Sequence, residues 1–179
     1  MSLSIILTAS YVKSHPSIIL IKKVIESLKY INVESLNVES LNLDYKIQVL
    51  LAHDYHVNSD YDKYLDNLLI YCKDYNNESK NFILKIIKSE YNGHLTGNIR
   101  NCMNYIESEY LLIIQHDLPF RQYFNINSII QDMKKYSQLK HIRFNKRPNI
   151  KIKCDNDNCD FFNNHNIKGN NNYVSTLQW

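Results

Sequence analysis

Glycine and proline are scarce in this sequence, since its 179 residues include only three of each. The glycines are Gly93, Gly97 and Gly169, so neither G-x-G-x-x-G nor G-x-x-x-x-G-K-[ST] can be written. A glycine-rich loop that cradles phosphate groups on its backbone N–H groups is therefore excluded. The G-x-S-x-G nucleophile elbow and the glycine loop of protein kinases are excluded for the same reason.

The sequence also lacks a strong excess of charge of one sign, because its formal net charge is only +3. Basic residues concentrate only between His141 and Lys153. We interpret this stretch as solvated surface and expect no nucleic-acid partner, since nucleic-acid-binding domains carry clustered Lys and Arg and a pI above ~9.

Long apolar runs are missing too, and none approaches the ~18 residues that a membrane-spanning helix needs. The first charged residue, Lys13, follows the first apolar run, whereas a secretory signal has its basic residues before that run. We therefore expect no membrane span, a cytoplasmic location and reduced thiols. Cys154, Cys159 and His165 offer three zinc ligands, one fewer than a structural zinc site normally has.

Apolar patterning predicts alternating strands and helices. Five short apolar runs indicate strands, at 3–8, 46–52, 81–87, 110–114 and 139–144. Segments with apolar residues at spacings of three and four indicate helices, at 18–28, 60–72, a segment capped by Thr96 and extending to Ile106, and 126–136. This alternation predicts an α/β fold with a mostly parallel sheet and helices on both faces. The run 110–114 looks the most buried.

The composition changes after Pro148, where polar residues dominate and asparagine is the most common of them. We predict a single domain over 1–179, with a ligand-binding core at 1–144 and a polar loop region at 145–179. The adjacent copies of Asn-Val-Glu-Ser-Leu at 32–36 and 37–41 are too few for a solenoid, so we interpret them as a local duplication.

Ligands of open α/β sheets bind beside the carboxyl ends of the strands. The polar or small residues predicted at this edge follow the first, second and fourth strands: Thr8, Ala9, Ser10, His53, Asp54, Gln115, His116 and Asp117. For Asp54, capping of a helix is an equally good explanation. For Asp117, which Leu118-Pro119 follows, a ligand role is favoured.

A second candidate region is Gly93–Asn101, which holds two of the three glycines at a loop-to-helix junction. Glycine there permits a positive φ or a close backbone approach. We expect Arg100 and Asn101 to lie in the first turns of the helix, where they could bind a carboxylate or a diphosphate. The alternative is an ordinary glycine-containing turn with a surface arginine.

Taken together, Thr8-Ala9-Ser10, Asp54, the pattern G-x(3)-G-N-x-R-N at 93–101 and Glu109-Tyr-Leu-Leu-Ile-Ile-Gln-His-Asp117 resemble a known family. They look like the nucleotide-sugar glycosyltransferases of the GT-A fold, in the family-2-like group. The segment Thr8-Ala-Ser-Tyr-x(3)-His-Pro-Ser17 resembles relatives from large DNA viruses. The resemblance covers residues 3–144 and is most specific between Gly93 and Asp117.

The resemblance implies transfer of a hexosyl or deoxyhexosyl group from a nucleoside-diphosphate sugar, expected to be UDP-linked, to a hydroxyl on a glycan or protein. The implied nucleotide-sugar-binding residues are Thr8, Ala9, Ser10, Asp54, Arg100, Asn101, Gln115 and His116. Asp117 matches the last acidic residue of the family's D-x-D motif, which implies a Mn²⁺ or Mg²⁺ ligand. A viral member of the family would act in the host cytoplasm.

The sequence departs from the family at two points. Gln115 stands where the D-x-D motif has its first Asp, so the expected metal loses one carboxylate. The family also continues beyond the fifth strand and carries its general base there, which implies a shortened acceptor side. The only acidic candidates for the base after that strand are Asp155, Asp157 and Asp160.

Three other functions remain open. A glycosyltransferase-like domain could bind nucleotide or a partner without turnover. The pairs His53-Asp54 and His116-Asp117 suggest a metal-dependent phosphohydrolase, although such enzymes hold His-Asp on helices and both pairs here follow strand-like runs. An α/β interaction module without any nucleotide site is the third possibility.

Overall fold

A computed structural model describes residues 2–13, 17–33, 46–144 and 174–175. The predicted duplication from residue 34 onward, His15-Pro16, Cys154, Cys159, His165 and the acidic residues after 150 lie outside this part. In chain order the elements are β1 (Leu3–Ala9), α1 (Ile19–Ser27), a 3₁₀ turn (Leu28–Tyr30), β2 (Ile31–Asn32), β3 (Ile47–His53), α2 (Ser59–Glu78), β4 (Phe82–Lys88), α3 (His94–Met103), β5 (Tyr110–Gln115), β6 (Phe124–Asn125), α4 (Ile126–Lys135), β7 (Ile142–Arg143) and β8 (Val174–Ser175).

The central sheet has four strands in the order β4-β3-β1-β5, and all of its pairings are parallel. This confirms an α/β fold with a mostly parallel sheet. The predicted fifth strand is wrong as a member of this sheet, because only Ile142–Arg143 is extended and it pairs antiparallel with Val174–Ser175. Half of the residues in the segment 139–144 are Lys, His or Arg, whereas a buried parallel strand is typically a continuous apolar run.

Burial within the sheet follows the strand order. Every residue of β1 is buried, and six of the seven residues of β3 are. The prediction that β5 is the most buried strand is wrong, since Ile113 is 46% exposed and Gln115 is also exposed. An apolar composition indicates that a strand is covered by other elements, but it does not indicate the position of the strand in the sheet. β5 is an edge strand, so part of it is exposed.

Helices cover both faces of the sheet. Side chains of successive strand residues point to opposite faces. On α2, the Tyr64 ring packs against His53, with 5.6 Å between ring centroids. On α3, Cys102 packs in one buried cluster with Leu50 and Ala52, which point to the other face. Helices α2 and α3 therefore lie on opposite faces.

The predicted apolar faces of the first two helices are largely confirmed. In α1, Ile21, Val24 and Ile25 are buried as expected. In α2 the buried positions are Tyr61, Tyr64, Leu68 and Cys72, whereas Leu69, which the apolar spacing also places on this face, is 51% exposed. The helical repeat thus continues from Leu68 to Cys72, and Leu69 falls beside this stripe rather than within it.

The predicted start of α3 is wrong. The helix begins at His94 with Gly93 as its N-cap, so Thr96 lies inside the helix and does not cap it. It ends at Met103, and Ile106 reaches the core cluster from the following loop. Two hydrogen bonds accompany the earlier start: Gly97 N donates to the backbone oxygen of Gly93, and His94 N donates to the side-chain Oδ1 of Asn92.

The chain divides into two compact units, Met1–Asn127 and Ser128–Trp179. The first contains the parallel sheet and the small β2-β6 pair, and the second contains most of α4 and the β7-β8 pair. The predicted boundary of the ligand-binding core at residue 144 stays a prediction. Among the described residues, no helix is both long enough and apolar enough to cross a lipid bilayer.

Candidate functional site

The sheet has a topological switch point between β1 and β5. From β1 the chain passes to β3 and then β4 on one side, and it returns through α3 to β5 on the other side. Connections that diverge in this way leave a crevice at the carboxyl ends of the two strands, where ligands of open α/β proteins bind. Ser10 follows β1, and His116 follows β5, so both lie at this point.

The strand register places four side chains in one row at this edge. His53 pairs with Ala9 on one side and with Lys88 on the other. His116 extends the row beyond Ala9, because its backbone N donates to Thr8 O at 3.0 Å, as the parallel ladder requires. The row is therefore Lys88, His53, Ala9 and His116, all on one face of the sheet.

Asp54 is buried and fixes the loop before α3. Its Oδ1 accepts a hydrogen bond from Gly93 N at 3.1 Å, and its backbone oxygen accepts one from Tyr61 Oη at 2.6 Å. A carboxylate beside the N-terminus of a helix is favourably placed in the helix dipole field. Asp54 does not cap the next helix, α2, whose N-cap is Asn58; its carboxylate instead holds the backbone N–H of Gly93, the residue before α3.

Gly93 is required by a close approach. A Cβ there would lie 2.8 Å from Gly97 Cα and 3.1 Å from Tyr91 Cε2. At Gly97 the closest atom to an added Cβ is Tyr91 Cε2 at 3.7 Å, an ordinary contact. Among the described residues no glycine has a positive φ, and the left-handed residue at this junction is His94, with φ 52°.

A group of aromatic rings lies next to Ser10. Ser10 Oγ is 3.4 Å from His56 Nε2, and the His56 ring packs edge-on against Tyr11 and Tyr61. Tyr11 also packs edge-on against Tyr61 and Tyr64. Burial, followed by the charges of Asp54 and Asp62, raises the pKa of Tyr61 to about 12, so this phenol stays neutral and donates its hydrogen bond to Asp54 O.

The predicted site residues at the ends of β1 and β5 differ in how exposed they are and in whether their polar atoms are already hydrogen-bonded. Thr8 is buried, and its Oγ1 donates to Ile114 O at 3.2 Å, so the hydroxyl ties β1 to β5. Ala9 is buried, Gln115 and Asp117 are exposed, and His116 is half-buried. Of this group, His116 and Asp117 line the crevice at the switch point, and Gln115 ends the strand on the opposite face from His116.

The expectation that Arg100 and Asn101 lie in the first turns of α3 is wrong. Both belong to the second half of the helix, and Arg100 is an exposed residue of its last turn. At a rise of ~1.5 Å per residue, Arg100 lies about 9 Å along the helix from His94. Asn101 Nδ2 donates to Ser89 Oγ at 3.4 Å, so its amide belongs to the packing between α3 and the end of β4.

Sequence reasoning missed a buried polar pair beneath this edge. Ser89 Oγ donates to Asn98 Oδ1 at 3.1 Å, and Ser89 N donates to His53 O at 2.9 Å. Asn98 is 2% exposed. Asn98 belongs to the pattern G-x(3)-G-N-x-R-N, but the pattern gives no indication that this asparagine is buried.

His53 is the other residue whose role the sequence concealed. It is 0% exposed. Burial, then the charges of His116 and His56, lowers the pKa of His53 to about 3. Neither ring nitrogen has a hydrogen-bond partner among the described residues. A histidine at the end of an apolar run gives a weak signal, since such a residue is as easily exposed as buried.

The expected metal ligands do not assemble into a metal site in the described part of the chain. No group of three or more His, Cys, Asp or Glu residues there has an arrangement that could hold an ion. Asp117 is an exposed carboxylate, and Gln115 stands at the position where the resemblance would place a first Asp. The described residues therefore do not supply three protein ligands for a resident divalent cation.

A separate cleft of about 550 Å³ lies at the opposite end of the sheet. It is lined by α1, the end of α2 and the start of β4, with acidic and basic side chains in equal number. Lys22 and Glu26 form an ion pair across 3.8 Å, and Lys22 Nζ stands 5.4 Å from the Tyr71 ring centre. Its charges are thus largely matched within the cleft.

Chemically, the carboxyl edge offers hydroxyl, imidazole and carboxylate groups around a crevice with an aromatic flank. Such groups can hydrogen-bond a ribose or a sugar. Both His-Asp pairs follow parallel strands and not helices, which removes the basis for the phosphohydrolase alternative.

No protein-family model, curated protein or solved structure matches the chain.

Proposed function

We propose that the protein binds a nucleoside-diphosphate sugar at the carboxyl edge of its sheet and transfers the sugar to a hydroxyl acceptor. The observation that carries the proposal is the switch point between β1 and β5, which brings Ser10, His116 and Asp117 to one crevice. Ligand binding at such a point is general for open α/β sheets. The sugar-nucleotide class comes from the resemblance of 93–117 to family-2-like glycosyltransferases.

Each group has a proposed role in binding. Ser10, with Oγ next to His56, hydrogen-bonds the nucleoside. Asp54 acts from beneath, because its carboxylate holds Gly93 and so sets the loop between β4 and α3. His116 contacts the diphosphate, and Asp117 accepts hydrogen bonds from the hydroxyls of the sugar, both from the β5 side. We propose that the acceptor is a glycan or protein hydroxyl and that the reaction takes place in the cytoplasm.

A thermal-shift panel tests the binding proposal. The ligands are UDP, GDP and dTDP, each with and without Mn²⁺. A nucleotide at a hundred times its Kd adds about 2.7 kcal/mol to the free energy of unfolding, which raises the Tm of a chain this long by about 5–10 °C. We expect UDP to give the largest shift. Adding EDTA in parallel shows whether binding needs the cation.

Variants then locate the site. Asp117→Ala should abolish most of the UDP shift, whereas Asp74→Ala, a matched change in the cleft at the other end of the sheet, should leave it intact. Equal Tm shifts in both variants would show that Asp117 is not part of the binding site. The absence of a shift with any nucleotide in the parent protein would contradict the proposal of nucleotide binding. A Tm shift with UDP but no sugar transfer from UDP-sugars would show that the protein binds nucleotide without acting as a glycosyltransferase.

A further inference from the structure

The His53 side chain is an anomaly among the buried polar groups described in this protein. It is 0% exposed, yet neither Nδ1 nor Nε2 has a hydrogen-bond partner in the described residues. Buried polar side-chain atoms in proteins are nearly always paired, and an unpaired one destabilises the fold. His53 therefore calls for an explanation that packing alone does not supply.

The strand register identifies the group that His53 can reach. His53 and His116 flank Ala9 in the same row and on the same face of the sheet. Adjacent strands lie ~4.8 Å apart, so the two histidine backbones are separated by about 10 Å. Ala9 lies between them and contributes only a methyl group, so no long side chain of β1 separates the two imidazole rings.

Two further observations connect His53 with the crevice. Its pKa is lowered by burial and then by the charges of His116 and His56, so both rings lie within electrostatic reach. His116 is half-buried at the switch point. A neutral imidazole retains one nitrogen that accepts a hydrogen bond.

We propose that His53 is a positioning residue that accepts a hydrogen bond from the His116 ring when a nucleoside diphosphate binds. The bond fixes the His116 ring, so that its second nitrogen faces the ligand. This inference rests on the proposed function and adds a residue that the resemblance does not assign. Lys88, the other neighbour of His53 in the row, has its Nζ 5.5 Å from the Tyr61 ring centre and so lies on the far side of His53 from His116.

A double-mutant cycle on UDP binding, measured by isothermal titration calorimetry, tests the coupling. The variants are His53→Phe, His116→Ala and the combination of the two. His53→Phe should weaken UDP binding about tenfold in the parent protein, which corresponds to about 1.4 kcal/mol. In the His116→Ala background the same change should weaken binding less than about twofold, because the group that it positions is gone.

His53→Gln provides the conservative comparison. Its amide keeps a hydrogen-bonding atom at a similar distance from the backbone, so binding should stay within about threefold of the parent protein. His53→Phe should also raise the Tm of the ligand-free protein, because it removes two unpaired buried nitrogens. If His53→Phe does not fold, the cycle is run with Leu in place of Phe and Gln as the retained polar side chain.

The outcomes separate the inference from the proposed function. Absence of UDP binding by the parent protein would overturn the proposed function, and the inference would fall with it. If the parent protein binds UDP but His53→Phe binds it equally well, or loses the same affinity with and without His116, then His53 has no positioning role. Only the non-additive result, together with retention of binding by Gln, supports the inference.

Discussion

Gly93 is one of the few glycines in the sequence, and the structure requires a residue without a Cβ at this position. Its backbone N donates to the buried Asp54 carboxylate, and the space where a Cβ would stand is filled by Gly97 Cα. Gly97, four residues later, has ordinary room for a methyl group. The two glycines are therefore not equivalent, although the sequence presents them as one motif.

Paired substitutions test this difference. Gly93→Ala should lower the free energy of unfolding by about 1–3 kcal/mol, because the backbone of Gly97 must shift. Gly97→Ala, in the interior of α3, should raise it by up to about 1 kcal/mol, since alanine favours a helix. Urea denaturation of both variants gives the two values. Equal stability of Gly93→Ala and the parent protein would contradict the close approach.

His53 predicts a pH dependence of stability. Its pKa is about 3 in the folded protein and ordinarily 6.5, so the unfolded chain binds more protons between these values. The free energy of unfolding should therefore fall as the pH drops from 6.5 toward 3, by up to about 1.4 kcal/mol per pH unit from this group.

The measurement for His53 is urea denaturation of the parent protein and His53→Phe at several pH values. The parent protein should lose more stability than the variant between pH 6.5 and 4, and the difference isolates His53 from the carboxylates. Parallel curves for the two proteins over that range would mean that His53 is not a buried neutral imidazole.

At the scale of whole elements, the edge strand β4 has backbone groups that are hydrogen-bonded by a side chain of α2 instead of by another strand. Asn76, near the end of α2, donates from Nδ2 to Leu84 O at 3.0 Å and accepts at Oδ1 from Leu84 N at 2.7 Å. The amide thus makes the two hydrogen bonds that a neighbouring strand would make at Leu84. Edge strands protected in this way are less prone to pair with other chains.

Removing this amide should destabilise the sheet. Asn76→Ala loses two hydrogen bonds and leaves the Leu84 backbone groups unpaired, so the free energy of unfolding should fall by about 1–3 kcal/mol. Asn77→Ala, at the exposed neighbouring position, should change it by less than about 0.5 kcal/mol. Urea denaturation compares the two variants, and identical midpoints would show that the Asn76 bonds add nothing.

Sequence patterns predicted the elements well and their surroundings less well. The four strands and the buried stripe of α1 follow from apolar period and length, which are local properties. The edge position of β5 depends on the strand order, which no local pattern contains. The start of α3 depends on contacts of Asp54 and Gly93, 39 residues apart, so Thr96 was the better local candidate.

For the site, the sequence predicted which strand ends meet but not how each side chain is used. Ser10, Asp54 and His116 come to one edge because parallel strands align their carboxyl ends. The use of the Asp54 carboxylate at Gly93, the distance of Arg100 from the edge and the burial of His53 all depend on packing between elements. Such packing is set by the whole fold rather than by a motif.

At the scale of the whole molecule, the parallel sheet has two ends with different chemistry. The carboxyl end carries the switch-point crevice with Ser10, His116 and Asp117, and the amino end carries the cleft around Lys22, Glu26 and Tyr71. The proposed function assigns the nucleotide to the first of these ends. The cleft at the amino end, of about 550 Å³, is the competing site for a ligand.

A titration of ¹⁵N-labelled protein with UDP, followed by amide chemical shifts, tests this assignment most directly. The account predicts saturable changes that are largest at the ends of β1, β3 and β5, including Ser10, Tyr55, His116 and Asp117. Changes centred on the residues between Tyr71 and Phe82, or no saturable change at any amide, would contradict nucleotide binding at the carboxyl edge.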